Sequence, residues 1–264
     1  MNTYTYKAFS ENDINTVQAL LTDVYKNDKF SLNYLKWQYL KNPFGRVISY
    51  NAFYQDKLVA HYAVIPQRSH DDKIYCLSVN TATSPDHLRK GLFTILAEKT
   101  YALAKQKGFE HIVGVANENS IHSFIKKLYF TDIGNVAVEF ASSLKSMHKF
   151  SKDLNTIKYR LENPNEKFLV FYSKKENVSY VFTKQYAQYV YLGCLGNALT
   201  LVNQNVSFLN NRPRIFLLPK YGIHSVGIKI PTFLMPSPWH VIYRNLSNNE
   251  NSSLKITGFD MDTF

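Results

Sequence analysis

Apolar residues recur at Ile14, Val17, Leu20, Leu21 and Val24, the spacing of one helical face, and Ser10, Asn12 and Asp13 stand where a helix starts. A second helix is predicted from Ser31 to Leu40. It stops before Asn42-Pro43, because the residue preceding proline is pushed out of the helical region. Two β-patterned runs follow, Val47–Tyr54 and Leu58–Ile65, joined by the polar turn Gln55-Asp56-Lys57. A third strand is expected over Ile74–Thr83 and is broken by Ser84-Pro85-Asp86. Gly91 opens a helix carrying Leu92, Ile95, Leu96 and Leu103. That helix closes on Lys105, Lys107 and Gly108, as a helix C-terminus should. Then come a buried strand at His111–Val115, a helix over Asn117–Leu128 and a strand over Gly134–Phe140. This order predicts a mixed α/β (α+β) domain of residues 1–145.

The second half reads as a partial copy of the first. SLNYLKWQYLKNP at Ser31–Pro43 aligns with DLNTIKYRLENP at Asp153–Pro164 with one gap, and each is followed by two strands and a polar turn. In the second copy the strands are Phe168–Tyr172 and Val178–Lys184. A strand at Tyr186–Leu192, a helix reaching about Leu209 and a strand at Arg214–Leu218 continue it. The second domain is therefore expected over 150–264, with the boundary near Ser142–Ser151.

Composition narrows the class. Of 264 residues, 45% are hydrophobic and 19% charged, which suits a globular chain and not a disordered one. Cys76 and Cys194 stand far apart with no metal-ligand spacing, so no disulfide framework or metal site is expected, and a reducing cytoplasm suits them. The first residues lack the apolar core of a signal peptide, and no apolar run is long enough to span a membrane. The net charge is +11, divided almost evenly between 1–150 and 151–264 without a basic run. That distribution describes a solvated basic surface and gives no reason to expect nucleic-acid binding.

The informative segment is Ser84-Pro85-Asp86-His87-Leu88-Arg89-Lys90-Gly91-Leu92-Phe93. A strand runs into a loop with Arg, Lys and Gly, and a helix starts there. Such a helix start offers unpaired N–H groups and a partial positive charge to a pyrophosphate. The alternative is an ordinary strand–helix connection with two exposed basic residues. Downstream lies GVANENSIHSFIKKLYF. The loop, the Asn42-Pro43-Phe44-Gly45 turn and the Asn117-Glu118-Asn119-Ser120 helix start, in this order, resemble the GNAT N-acetyltransferase family, and most closely its bacterial members of surface-polysaccharide and sugar-modification pathways. The likeness covers about residues 5–145, and the remainder resembles a second, degenerate GNAT-like lobe.

The resemblance implies acetyl transfer from acetyl-CoA to a small amine, an amino sugar or its nucleotide-linked form. Arg89, Lys90, Gly91, Leu92 and Phe93 would hold the pyrophosphate. Ala82 and Thr83 would pair with the pantetheine arm, and Asn117, Ser120 and Phe124 would line its far side. Four positions depart from the family pattern. Leu88 stands where a first basic or glutamine residue is usual, Phe93 where a small residue is usual though the polysaccharide group tolerates it, Phe124 where many members place a tyrosine acid, and Tyr129 where a glycine is usual. Candidate bases are His61, in an apolar strand that would equally bury it, and Glu139, which would equally face water at an edge. Asn80, Asp260 and Asp262 are candidate acceptor contacts. The two aspartates read equally as a solvated tail. A homodimer is compatible with the resemblance. Two other readings stay open: a tandem-GNAT aminoacyltransferase using charged tRNA, and a non-catalytic acyl-CoA-binding protein.

Overall fold

The computed structural model describes residues 3–69, 73–142, 154–185, 187–195, 205–222, 227–231, 239–247 and 256–257. They form two units. The first comprises 1–67, 74–133 and 240–251, and the second 68–73, 134–239 and 252–264. The expected division at 145/150 is thus displaced. The segment after Asn135 joins the second sheet, and a strand from the far end of the chain returns to the first.

In the first unit the order is β1 (Thr5–Ala8), α1 (Ile14–Tyr25), α2 (Leu32–Leu40), β2 (Ile48–Tyr54), β3 (Lys57–Arg68), β4 (Ile74–Thr83), α3 (Leu92–Gln106), β5 (His111–Ala116), α4 (Glu118–Leu128) and β6 (Thr131–Asn135). Helix α1 buries Ile14, Val17, Leu20 and Leu21, the face its spacing predicts. Ser31 caps α2 by accepting from Tyr34 N, and the Asn42 side chain then turns the chain: Oδ1 accepts from Phe44 N at 3.0 Å and Nδ2 donates to Pro66 O at 2.7 Å. Ile48, Ala60, Tyr62, Cys76, Leu96, Tyr101 and Ile112 meet in one core between the sheet and α3. Each fully buried isoleucine or leucine among them contributes roughly 1.5–3 kcal/mol.

The second unit carries β7 (Ala137–Ala141), α5 (Leu154–Leu161), β8 (Phe168–Ser173), β9 (Val178–Gln185), β10 (Gln188–Leu195), β11 (Val206–Phe208), β12 (Phe216–Tyr221), β13 (Ile228–Lys229) and the short β15 (Ile256–Thr257). The expected helix reaching Leu209 instead ends as strand β11, which pairs with β8; residues 196–204 lie outside those described. The expected single strand at Gly134–Phe140 divides into β6 and β7, with Gly134 at φ +126° just before the break.

The second to sixth strands of the two sheets correspond, while the edge strands differ, β1 pairing antiparallel with β2 and β11 parallel with β8. The first sheet is β1-β2-β3-β4-β5-β14-β6, where β14 is His240–Asn245, and the second is β11-β8-β9-β10-β12-β7-β13. In both, the fourth and fifth strands pair parallel (β4 with β5, β10 with β12) and the fifth and sixth antiparallel. The turn after α5 also repeats that after α2: Asn163 Oδ1 accepts from Asn165 N at 3.0 Å, before a hairpin of β8 and β9. These correspondences support the repeat seen in the sequence.

Candidate active site

Strands β4 and β5 pair at only two positions, Cys76↔Ile112 and Leu77↔Val113. Beyond them the strands part, while β5 continues to pair with β14 as far as Ala116↔His240. The split therefore exposes one edge of β4 over its last six residues. Within it Asn80 adopts φ +50°, a left-handed conformation that Asn tolerates better than most residues and that breaks the pleat. The Asn80 side chain holds the kink by donating to Gln38 Oε1 at 2.5 Å and to Tyr39 Oη at 3.0 Å.

Strand β4 delivers the chain directly to the basic loop. Ser84 N donates to Val59 O at 2.8 Å, Pro85–His87 make one 3-10 turn, and the His87 ring lies against Tyr4 and Tyr54. Arg89 takes φ +59° and Gly91 φ +76°, so two left-handed residues lead into α3. Gly91 is the N-cap and no side chain caps the helix. Its first N–H groups thus face outward beside exposed Arg89 and Lys90, as an anion site requires. A Cβ at Gly91 would meet nothing within 4 Å, so the space there is open. Leu92 is buried and anchors the helix, and Phe93 packs edge-on against Phe124, with ring centroids 5.3 Å apart.

Residues 14–129 match the profile of the acetyltransferase (GNAT) family. The first unit has the GNAT fold. Two solved structures share the fold at 10% identity. One, from Pyrococcus horikoshii and assigned as an acetyltransferase, gives a TM-score of 0.54 over 97% of this chain and 95% of its own. The other, from Enterococcus faecalis and assigned as an N-acyltransferase, gives 0.60 over 92% and 73%. No curated protein matches the sequence.

On the first unit the expected site residues fall into groups. Ala82, Thr83, Arg89, Lys90, Gly91, Leu92 and Phe93 lie consecutively along the end of β4, the loop and the start of α3. Asn117 caps α4: its Oδ1 accepts from Asn119 N and Ser120 N, both at 3.1 Å, while Ser120 Oγ closes the box back to Asn117. The Asn117 oxygen is thus committed to the helix, and its amide N–H groups make no hydrogen bond among the described residues. Phe124, on the same helix, is almost fully buried between Phe93 and Phe130.

Each of the two candidate bases is held by buried partners. His61 is fully buried on β3, with Nε2 2.8 Å from Tyr39 Oη and Nδ1 2.7 Å from Asn51 Oδ1. Asn51 Oδ1 only accepts, so Nδ1 carries the proton and Nε2 takes the Tyr39 hydroxyl. Asn51 Nδ2 then reaches Asp13 Oδ2 at 3.3 Å, and a chain of donors runs from Asn80 through Tyr39, His61 and Asn51 to a carboxylate. Burial holds the His61 imidazole down at about 3, so it stays neutral, and its lone pair is occupied. Glu139 lies on β7 in the second unit, buried against Lys220 Nζ at 3.0 Å and accepting from Gly227 N. Its burial corrects the alternative reading of Glu139 as an edge residue facing water. Asp260 and Asp262 lie outside the described residues. The sequence reading missed the Tyr62–Ser78 contact at the split, where Tyr62 Oη and Ser78 Oγ lie 2.8 Å apart. It also missed His240 on β14, whose Nδ1 lies 2.9 Å from Asp132. The sequence carried no signal for the first beyond a serine in a strand.

Proposed function

We propose that the protein transfers the acetyl group of acetyl-CoA to a small amine of low pKa, an amino sugar or a nucleotide-linked amino sugar. One observation carries the reading: β4 leaves β5 after Leu77 and ends, a few residues later, at an uncapped, basic helix N-terminus. Arg89, Lys90 and the first N–H groups of α3 would hold the pyrophosphate, and the edge of β4 through Ala82 and Thr83 would take the pantetheine amides as an added strand. Asn117 would offer its amide N–H groups from α4, and Asn80 would meet the acceptor. Acetyl-CoA supplies an activated thioester, and backbone N–H groups at the split would steady the charge that gathers on its carbonyl oxygen.

The acceptor class follows from the bases. His61 has no lone pair to spare, and Glu139 is tied to Lys220. A site without a strong base favours an amine already neutral. At pH 7 an amine of pKa about 7.7 is neutral in roughly one molecule in six, a lysine of about 10.4 in about one in 2,500. Isothermal titration with acetyl-CoA, followed by release of the CoA thiol against a panel of amino sugars, polyamines and lysine peptides, tests both parts. Binding and fastest turnover on amino sugars are expected. Faster turnover on the peptides overturns the acceptor, and absence of acetyl-CoA binding overturns the reading.

A further inference from the structure

Ser78 and Gly114 are the first residues beyond the last β4–β5 pair. Ser78 is partly exposed, and its Oγ lies 2.8 Å from Tyr62 Oη, which lies 2.5 Å from Tyr101 Oη. Both tyrosines are buried, so three hydroxyls run in line from the core of the GNAT domain and surface only at the split. The Tyr62 ring meets Phe93 edge-on at 5.8 Å, and Phe93 meets Phe124 at 5.3 Å. The chain therefore emerges close to Phe124, the position that lacks a hydroxyl. Two charged groups face it: the Arg244 guanidinium lies 5.0 Å over the Tyr101 ring and is held by Glu98 at 2.7 Å.

Resting on the acetyl-transfer reading, we propose that Ser78, backed by Tyr62 and Tyr101, donates the hydrogen bond that steadies the departing CoA thiolate. As the C–S bond breaks, its electron pair moves to sulfur. Ser78 O–H turns to the sulfur, Tyr62 O–H donates to Ser78 Oγ, and Tyr101 O–H donates to Tyr62 Oη. Each donor strengthens the next, and a hydrogen bond to an ion is stronger than one to a neutral group. No proton leaves the chain. Burial holds the Tyr62 hydroxyl up at about 12, against about 8.5 for a thiol, so full transfer to sulfur is uphill roughly three-thousandfold. The proton that sulfur finally takes is the one the acceptor nitrogen loses on becoming an amide.

CoA itself is the probe. The thiol of CoA bound to the full chain is titrated by its thiolate absorbance, with desulfo-CoA as blank and affinity followed by calorimetry. In the wild type the bound thiol should ionise about one pH unit below the free thiol. Ser78→Ala and Tyr62→Phe should return it to the free value with CoA affinity within twofold, and Ser78→Thr should restore the shift. Where Tyr62→Phe does not fold, the Ser78 pair decides. Identical titrations in wild type and Ser78→Ala overturn the proposal while leaving acetyl transfer intact. Failure of the wild type to bind CoA overturns acetyl transfer and this proposal with it.

Discussion

His61 shows how one buried side chain converts a hydrogen-bond pattern into a pH dependence. Its imidazole is held at about 3 by burial, whereas in the unfolded chain it titrates near 6.5. Between those values the unfolded chain binds a proton that the folded chain does not. Stability therefore falls as the pH drops through this window, by up to about 1.4 kcal/mol per pH unit. Urea midpoints measured from pH 7 to 4.5 should decline less steeply in His61→Gln than in the wild type; parallel curves would mean that another group governs acid unfolding. Gly91 makes the complementary case in the backbone. At φ +76° with open space around the missing Cβ, Gly91→Ala meets strain and no clash. It should cost about 1 kcal/mol and lower the melting temperature by roughly 2–4 °C, readable by calorimetry. At this scale the sequence was readable where a residue's type dictates its geometry, as at Gly91. It was ambiguous where surroundings decide, as at His61, which an apolar strand could equally bury or display.

Among the elements, those with local signals came through closely. Strand β4 spans Ile74–Thr83 as read from its pattern, and α4 begins after Asn117 because Asn117 and Ser120 form a capping box that four residues of sequence encode. Strand β1 was not anticipated. Its four residues pair only with β2 and hold no residue buried below the surface layer, so no hydrophobic pattern marks them. The Asn117 cap also allows its two roles to be separated. Asn117→Ala removes both the cap oxygen and the amide donor, and should cost about 1 kcal/mol in thermal or urea unfolding. Asn117→Asp keeps the oxygen and loses the donor. It should unfold like the wild type yet bind acetyl-CoA several-fold more weakly by titration calorimetry. Equal affinity in the aspartate variant would confine Asn117 to capping.

At the scale of the whole molecule the informative feature is which half of the chain supplies the sixth strand of each sheet. The first sheet receives β14 from residues 240–245 and the second receives β7 from residues 137–141. No local pattern predicts this. HVIYRN reads as an ordinary short strand, and its pairing with β5 spans more than a hundred residues of sequence. The exchange means that residues 1–145 by themselves leave β5 without its antiparallel partner and lack Val241, Ile242 and Tyr243, all buried. Ile242 further fills the space over Gly114, where a Cβ would lie 3.0 Å from its Cγ1. Losing three buried apolar side chains and a six-residue ladder is comparable to the whole stability of a domain, about 5–15 kcal/mol. A chain of residues 1–145 is therefore expected to be unfolded or aggregated. Strands β6 and β14 are neighbours in the first sheet and Val136 N donates to Trp239 O at 2.8 Å, so the two strands meet there as the arms of a hairpin would. Joining residue 136 to residue 239 through an Asn-Gly turn should close that hairpin and give a self-sufficient first unit. Dispersed amide resonances and acetyl-CoA binding in the joined chain, against collapsed spectra for 1–145, are the expected pair of results. A well-folded 1–145 would show that β14 is an ornament of the sheet and not a part of its core.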